Sequence, residues 1–292
     1  QGDQLTGLLA AEVARPVLSD IAAFAETLAG PGVRAVLFYG SILRTGDLDG
    51  VLDYYVLTDA ARPPAIWPEV GYRELVLGGR TLRAKIATMP LETFARACRG
   101  DSRDTTIWAR FVQPVALVWS DEADAAVIDA LADAVATASR FAAALGPESG
   151  AAGEYWRALL RATYAAEFRV EAGGREAQII GHDPARWAAL LPLGWARAGV
   201  VFDRAADVFR VHLSAGERRT ILSRWSRVRR WGKPLNIARL MKAAFTFDGA
   251  ARYAAWKIER HTGVPVKLTP WRERHPILAA PGVLWRVWRE RK

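Results

Sequence analysis

Two short apolar runs, separated by a polar turn containing glycine, dominate the stretch VRAVLFYGSILRTGDLDGVLDYYVL at 33–57. Runs of this length, rich in Val, Leu, Phe and Tyr, read as buried strands. Val33 to Tyr39 predicts the first, Ser41 to Arg44 a helical turn, and Val51 to Leu57 the second. Upstream, residues 5–29 carry apolar positions at helical spacing, with Pro16 as a break or a new first turn, and Gly30-Pro31-Gly32 ends that helix. Downstream, Tyr72 to Leu77 and Thr81 to Met89 flank Gly78-Gly79, which predicts a β-hairpin. Pro90 to Cys98 and Thr105 to Phe111 have helical spacing, and Pro114 to Trp119 is a further strand. Together these elements predict a small mixed sheet with a helix on one face.

From Asp121 the pattern changes to Ala-rich helical segments, expected at 121–145, 151–170, 175–190, 203–211 and 216–230. Gly146-Pro147 and Gly173-Gly174 punctuate them, and a boundary near 146–151 separates residues 1–148 from a helical part, 149–292. The expected class is α+β: a small mixed β-sheet domain, then a mainly helical domain, then a basic amphipathic C-terminal segment.

Composition narrows the class of partner. The chain has 292 residues, 51% of them apolar, and a net charge of +9, so it can bury a large core and favours acidic partners. Nucleic acid, an anionic membrane surface and phosphorylated small molecules all qualify. The cations concentrate after Arg210, in RWSRVRRWGK (224–233) and WRVWRERK (285–292). Read as helix, Arg224, Arg227, Arg229, Arg230 and Lys233 surround Trp225, Val228 and Trp231. Such a surface suits an anionic head group or bilayer; the same charges with stacking Trp suit nucleic acid, and a solvated Arg-rich face is the plain alternative. A helix from about Val283 sets Trp285, Trp288 and Arg289 in an arrangement suited to a membrane interface.

Cys98 is the single cysteine, so no intrachain disulfide forms; a buried structural thiol and a cytoplasmic compartment are expected. The chain begins Gln1-Gly2 with no signal-peptide pattern, and reads there as the scar of a removed tag. His182, His212, His261 and His275 show no metal-ligand spacing, and HEXXH and GxSxG are absent.

The candidate chemistry lies at Gly40-Ser41 and Asp53. Glycine allows close approach of the backbone to phosphates, helix-start amides and the Ser hydroxyl hold anionic oxygens, and a carboxylate on the neighbouring strand holds Mg²⁺ against them. Gly-Ser after a strand is common in α/β proteins and says little alone. A carboxylate between Leu52 and Tyr54 on a buried strand is rarer, because burial costs several kcal/mol unless the charge is paired or on a metal. Gly-Ser followed by Asp-x-Asp marks the nucleotidyltransferase fold. Here a gap of nine residues places Val51 and Asp53 at the acidic positions, and a gap of eleven places Asp53 and Tyr55 there, so one acid is missing. Asp47 or Asp49, in the loop just before, could supply the second ligand.

The chain resembles the mitochondrial-type phosphatidate cytidylyltransferase family of that fold. The resemblance rests on Tyr39-Gly40-Ser41, on Leu52-Asp53-Tyr54-Tyr55, on Gly79-Arg80 followed by Lys85 on the returning strand, and on Trp108 to Arg110 followed by Pro114-Val115. It covers about residues 33–119, with 151–195 matching loosely as a helical module. Ile42 replaces a family Gly and Gln113 a family Lys, departures that bear on nucleobase and acceptor more than on fold. The resemblance implies a transferase joining CTP to phosphatidic acid with Mg²⁺, peripheral at the inner membrane surface. Tyr39, Gly40 and Ser41 would hold the triphosphate, Asp53 with Asp49 the Mg²⁺, and Lys85 and Arg110 would meet phosphate charge. Alternatives are another acceptor (sugar phosphate, antibiotic, protein or tRNA), or an inactive protein of this fold that binds membrane or, less favoured, nucleic acid.

Overall fold

The structure, a computed structural model, describes residues 2–61, 67–166, 174–246, 250–274 and 276–290. Two helices, α1 (Gly2–Val13) and α2 (Ser19–Glu26), precede β1 (Val33–Tyr39), the turn α3 (Ser41–Thr45) and β2 (Val51–Thr58). The hairpin β3 (Glu69–Leu77) and β4 (Arg80–Pro90) follows, then α4 (Leu91–Cys98), α5 (Thr106–Phe111) and β5 (Val115–Ser120). The sheet runs β3-β4-β2-β1-β5, antiparallel throughout except where β4 lies parallel to β2.

Both sheet faces are apolar, which is why the strands read as continuous hydrophobic runs. Val36, Phe38, Leu52, Tyr54 and Ile86 face α2 and α3, where they pack with Ile21, Phe24 and Ile42. The Tyr54 hydroxyl donates to the Ile21 carbonyl at 2.8 Å and so fixes α2 on that face. Leu37, Tyr55, Leu57, Ala87 and Met89 point the other way, into a larger core under α1, α4 and α5. The expected small mixed sheet with a helix on one face has helices on both, because neither set of alternating side chains is polar.

The larger core continues into the second half of the chain. There α6 (Asp124–Leu145), β6 (Ser149–Ala151), α7 (Ala152–Ala166), α8 (Arg175–His182) and α9 (Pro184–Ala198) succeed one another. Helix α6 is the central rod. Gly194 on α9 lies so close to Ser139 that a side chain there has no room, and Trp195 Nε1 donates to the Ser139 carbonyl at 2.8 Å. At the outer end, Arg186 Nε of α9 meets Glu12 Oε2 of α1 at 2.7 Å, both side chains buried. One hydrophobic core thus holds residues from both sides of the stretch 146–151.

Two expectations for this half are corrected. The helix expected over 175–190 is two helices, because Asp183 ends α8 and caps α9, accepting from the Arg186 amide at 3.0 Å with Pro184 in the first turn. The helix expected at 203–211 is a hairpin, β7 (Phe202–Ala205) and β8 (Val208–Val211), which pairs with β6 in a second sheet. Phe209 and Val211 are buried while Val208 and Arg210 are exposed, a period of two that outweighs the local Ala content.

The chain ends in α10 (Ala215–Thr246), α11 (Ala250–Thr262), α12 (Pro270–Arg274) and α13 (Pro276–Glu290). Helix α10 runs past the segment expected at 216–230 and through Pro234. Ile221, Trp225, Val228 and Gly232 form its buried stripe. Among the described residues no helix is long and apolar enough to cross a membrane.

Candidate active site

Strand pairing places Tyr39, Asp53 and Lys85 side by side on adjacent strands: Tyr39 opposes Asp53 across β1 and β2, and Asp53 opposes Lys85 across β2 and β4. Directly opposed residues share a face, and theirs is the face that buries Tyr55 and Leu57. Beyond Tyr39 the chain turns at Gly40, whose φ of 100° lies in the region glycine tolerates. Helix α3 then starts at Ser41, so its first amides and the Ser41 hydroxyl stand at the strand end.

These residues line one cleft of about 240 Å³. Arg110, Gln113 and Pro114 form a second wall, and Tyr164 and Ile179, from α7 and α8, form a third. Arg44 completes the lining, giving three cationic side chains with Lys85 and Arg110 against the single carboxylate of Asp53. Larger cavities lie elsewhere.

Asp53 opens to the cleft on one side and is crowded by protein on the others. That burial raises its carboxyl above the ordinary aspartate range, while the charges of Lys85 and Arg110 pull it back down. Arg110 is fixed by aromatic neighbours. Its guanidinium lies over the rings of Tyr39 and Tyr55 at 5.4 and 5.9 Å, and Nη1 donates to the Tyr55 hydroxyl at 3.2 Å. Burial pushes the Tyr55 phenol up, so it stays neutral and accepts that bond. Phe111 meets the Tyr55 ring edge-on at 5.0 Å and holds it in place.

A second anchor reaches this wall from α10. Arg239 pairs with the buried Asp104 carboxylate, donates to the Trp67 carbonyl at 2.8 Å and to the Thr106 hydroxyl at 3.0 Å. Asp104 in turn accepts from the Thr106 amide at 3.3 Å, at the start of the helix that carries Arg110.

Of the residues singled out from the sequence, Tyr39, Gly40, Ser41, Asp53, Lys85 and Arg110 come together here. Asp49 does not. It sits in an exposed loop where its amide bonds to Asp47 Oδ1 at 2.9 Å, and neither aspartate lines the cleft. Sequence reasoning missed Arg44, Tyr164 and Ile179. Arg44 lies one helical turn beyond Ser41 and was accessible to a periodicity argument; the other two belong to helices with no local signal.

Among the described residues no three His, Cys, Asp or Glu side chains gather as a metal site. A divalent cation in this cleft would have Asp53 and the Ser41 hydroxyl as protein ligands, with the neighbouring cations opposing it. That donor set fits a cation that arrives on a polyphosphate, since Mg²⁺ is commonly bound by one or two carboxylates plus phosphate oxygens and water.

The cationic surface expected on α10 is divided by the fold. Trp225 and Val228 are buried, and Arg224 is held by the Gly100 carbonyl and Asp101 Oδ1 at 2.8 and 3.0 Å. Arg227, Arg229, Arg230 and Lys233 are exposed, with Trp231 beside them 45% exposed. On α13, Trp285 is 59% exposed with the exposed Arg289 over its ring at 4.9 Å; the side chain of Trp288 lies outside the described set, as does His275. Cys98 is fully buried, and burial raises its thiol well above the ordinary range.

Neither protein-family models nor curated proteins compared with the chain give a match.

Proposed function

We propose that the chain is a Mg²⁺-dependent nucleotidyltransferase of the CTP:phosphatidate type, forming CDP-diacylglycerol and pyrophosphate. The observation that carries this reading is the convergence of Gly40-Ser41, Asp53, Lys85 and Arg110 on one cleft from four separate elements. Three cations around one carboxylate suit a polyphosphate better than a neutral substrate. A volume of about 240 Å³ suits the phosphate-bearing part of a nucleotide, and leaves the base against the rim.

In this reading the Ser41 amide and hydroxyl hold phosphate oxygens, and Lys85, Arg44 and Arg110 meet the charge of the triphosphate. Asp53 and Ser41 would hold Mg²⁺, which when bound neutralises charge on the phosphates. An oxygen of the acceptor phosphate attacks the α-phosphorus, the bond to the β-phosphate oxygen breaks, and pyrophosphate leaves with that electron pair. A phosphate monoester is already ionised at neutral pH, so no general base is required. This accords with a cleft rich in cations and short of carboxylates.

The exposed Arg227, Arg229, Arg230 and Lys233, with Trp285 and Arg289, support a peripheral position at an anionic, cytoplasm-facing membrane. The test is pyrophosphate release from CTP, Mg²⁺ and phosphatidic acid. Release by the native chain that vanishes in Asp53→Ala supports the proposal, and release equal in both overturns it. Release with another acceptor in place of phosphatidic acid would keep the site and change the substrate.

A further inference from the structure

A cavity of about 650 Å³ lies between α6 and α10 and shares no lining residue with the cleft at Asp53. Its size is that of a site for one small molecule or one head group, which usually falls at roughly 300–1,000 Å³. The floor is apolar, with Phe141 and Ile221 4% and 6% exposed. The rim is cationic: five arginines line it against the carboxylates of Asp101 and Asp133.

Three of those arginines already have structural work. Arg197 Nη2 meets Asp133 Oδ1 and Asp129 Oδ1 at 2.7 and 2.6 Å, and closes one end. Arg224 and Arg99 share Asp101 at 3.0 and 3.7 Å, which ties α10 to the loop after α4. The other two, Arg140 on α6 and Arg227 on α10, are exposed and make no ion pair among the described residues. Glu217 lies within the field of Arg140, but its carboxylate bonds to Ser214. Two exposed guanidinium groups thus face one concave space in which the surrounding charge is already positive. Such a space concentrates anions, and guanidinium forks match the oxygens of phosphate.

We propose that this cavity binds the phosphate monoester group of an anionic ligand, with Arg140 and Arg227 as its two guanidinium partners and Phe141 and Ile221 beneath the attached carbon skeleton. A free phosphate monoester and a phosphatidate head group offer the same chemistry. Arg227 belongs both to the cavity and to the exposed cationic side of α10, so a head group presented by a bilayer has a direct route to it. The proposal does not depend on nucleotidyl transfer and stands or falls separately from it.

The test measures binding to the full chain carrying Lys85→Ala, which removes one of the three cations that line the other cleft. Inorganic phosphate and glycerol 3-phosphate are titrated by calorimetry, and flotation is measured with phosphatidylcholine vesicles with and without phosphatidate. Arg140→Ala and Arg227→Ala each remove one partner, and Arg219→Ala, exposed on α10 outside the cavity, is the charge control. Saturable binding, by a soluble probe or selectively to phosphatidate vesicles, is expected to weaken at least about tenfold in each cavity variant and less than about twofold in the control. Dependence on Arg140 and Arg227 in the soluble arm identifies a free phosphate ligand, and in the vesicle arm alone a lipid head group. Absence of saturable binding in both arms, or equal weakening by Arg219→Ala, overturns the proposal.

Discussion

Gly40 leaves open the space that the Asp53 carboxylate enters: a Cβ at Gly40 would stand 2.9 Å from Asp53 Oδ2. The turn and the acid are therefore one device. Gly40→Ala meets two costs, the strained φ of 100° and the displaced carboxylate. The backbone strain alone is about 1–3 kcal/mol, a fall in Tm of a few degrees. Pyrophosphate release is expected to fall about a hundredfold, because small displacements of positioned groups are costly. Near-native release by Gly40→Ala would mean that Asp53 does not work from this position.

Asp53 predicts a specific pH dependence. Its folded-state carboxyl is raised, chiefly by burial. The folded chain therefore holds a proton that the unfolded chain has released, and stability falls as pH rises from the ordinary aspartate range through the raised value. Asp53→Asn mimics the protonated form and removes that slope. Melting curves of the nucleotide-free protein from pH 4 to 8 should show the variant gaining on the native chain toward neutral pH. A native chain that gains on the variant over this window would reverse the sign assigned to this site.

Much of this was legible in the sequence, and the reasons for the exceptions are local. Strands β1 and β2 carry side chains that are mostly apolar on both faces, so Asp53 stands out as a carboxylate in a buried run, whereas Lys85, on a strand that also carries Arg80 and Arg83, is singled out only by the family resemblance. The two-residue turn at Gly78-Gly79 fixes the register of β4 against β3, with Leu77 opposing Arg80 and Tyr72 opposing Lys85, while Lys85 lies beside Asp53 through the separate parallel pairing of β4 with β2. The hairpin at 202–211 was hidden because Ala205 and Ala206 look helical, while the turn depends on Ala206 adopting a φ of 53°. Tyr164 and Ile179 enter the cleft only because α7 and α8 pack against the sheet domain, a long-range relationship that no spacing encodes.

The link between Arg239 and Asp104 ties α10 to the wall bearing Arg110. The Asp104 side chain is 1% exposed and that of Arg239 15%. Arg239→Ala leaves a buried carboxylate without its cation, a loss of about 3–5 kcal/mol. Arg239→Ala with Asp104→Asn should recover a substantial part of it. A denaturant double-mutant cycle checks this, and additive losses would show that the pair is not coupled.

Membrane attachment should depend on the exposed cations of α10. A basic residue near an anionic surface contributes about 1 kcal/mol, so Arg229→Ala with Arg230→Ala should weaken binding to anionic vesicles by about thirtyfold. Added salt should weaken the native chain's binding, since Debye screening acts on exposed charge. Vesicle flotation of native and doubly substituted chains at low and high salt reads both effects, and unchanged flotation would remove this face from the membrane contact.

The central claim is that a nucleotide places its phosphates at Gly40-Ser41 beside Asp53, and a crystal structure of the chain with CTP and Mg²⁺ tests it most directly. The account predicts phosphate density within hydrogen-bonding distance of the Ser41 amide and Lys85, with a cation on the Asp53 carboxylate. Nucleotide bound at another surface, with this cleft holding only water, would contradict it.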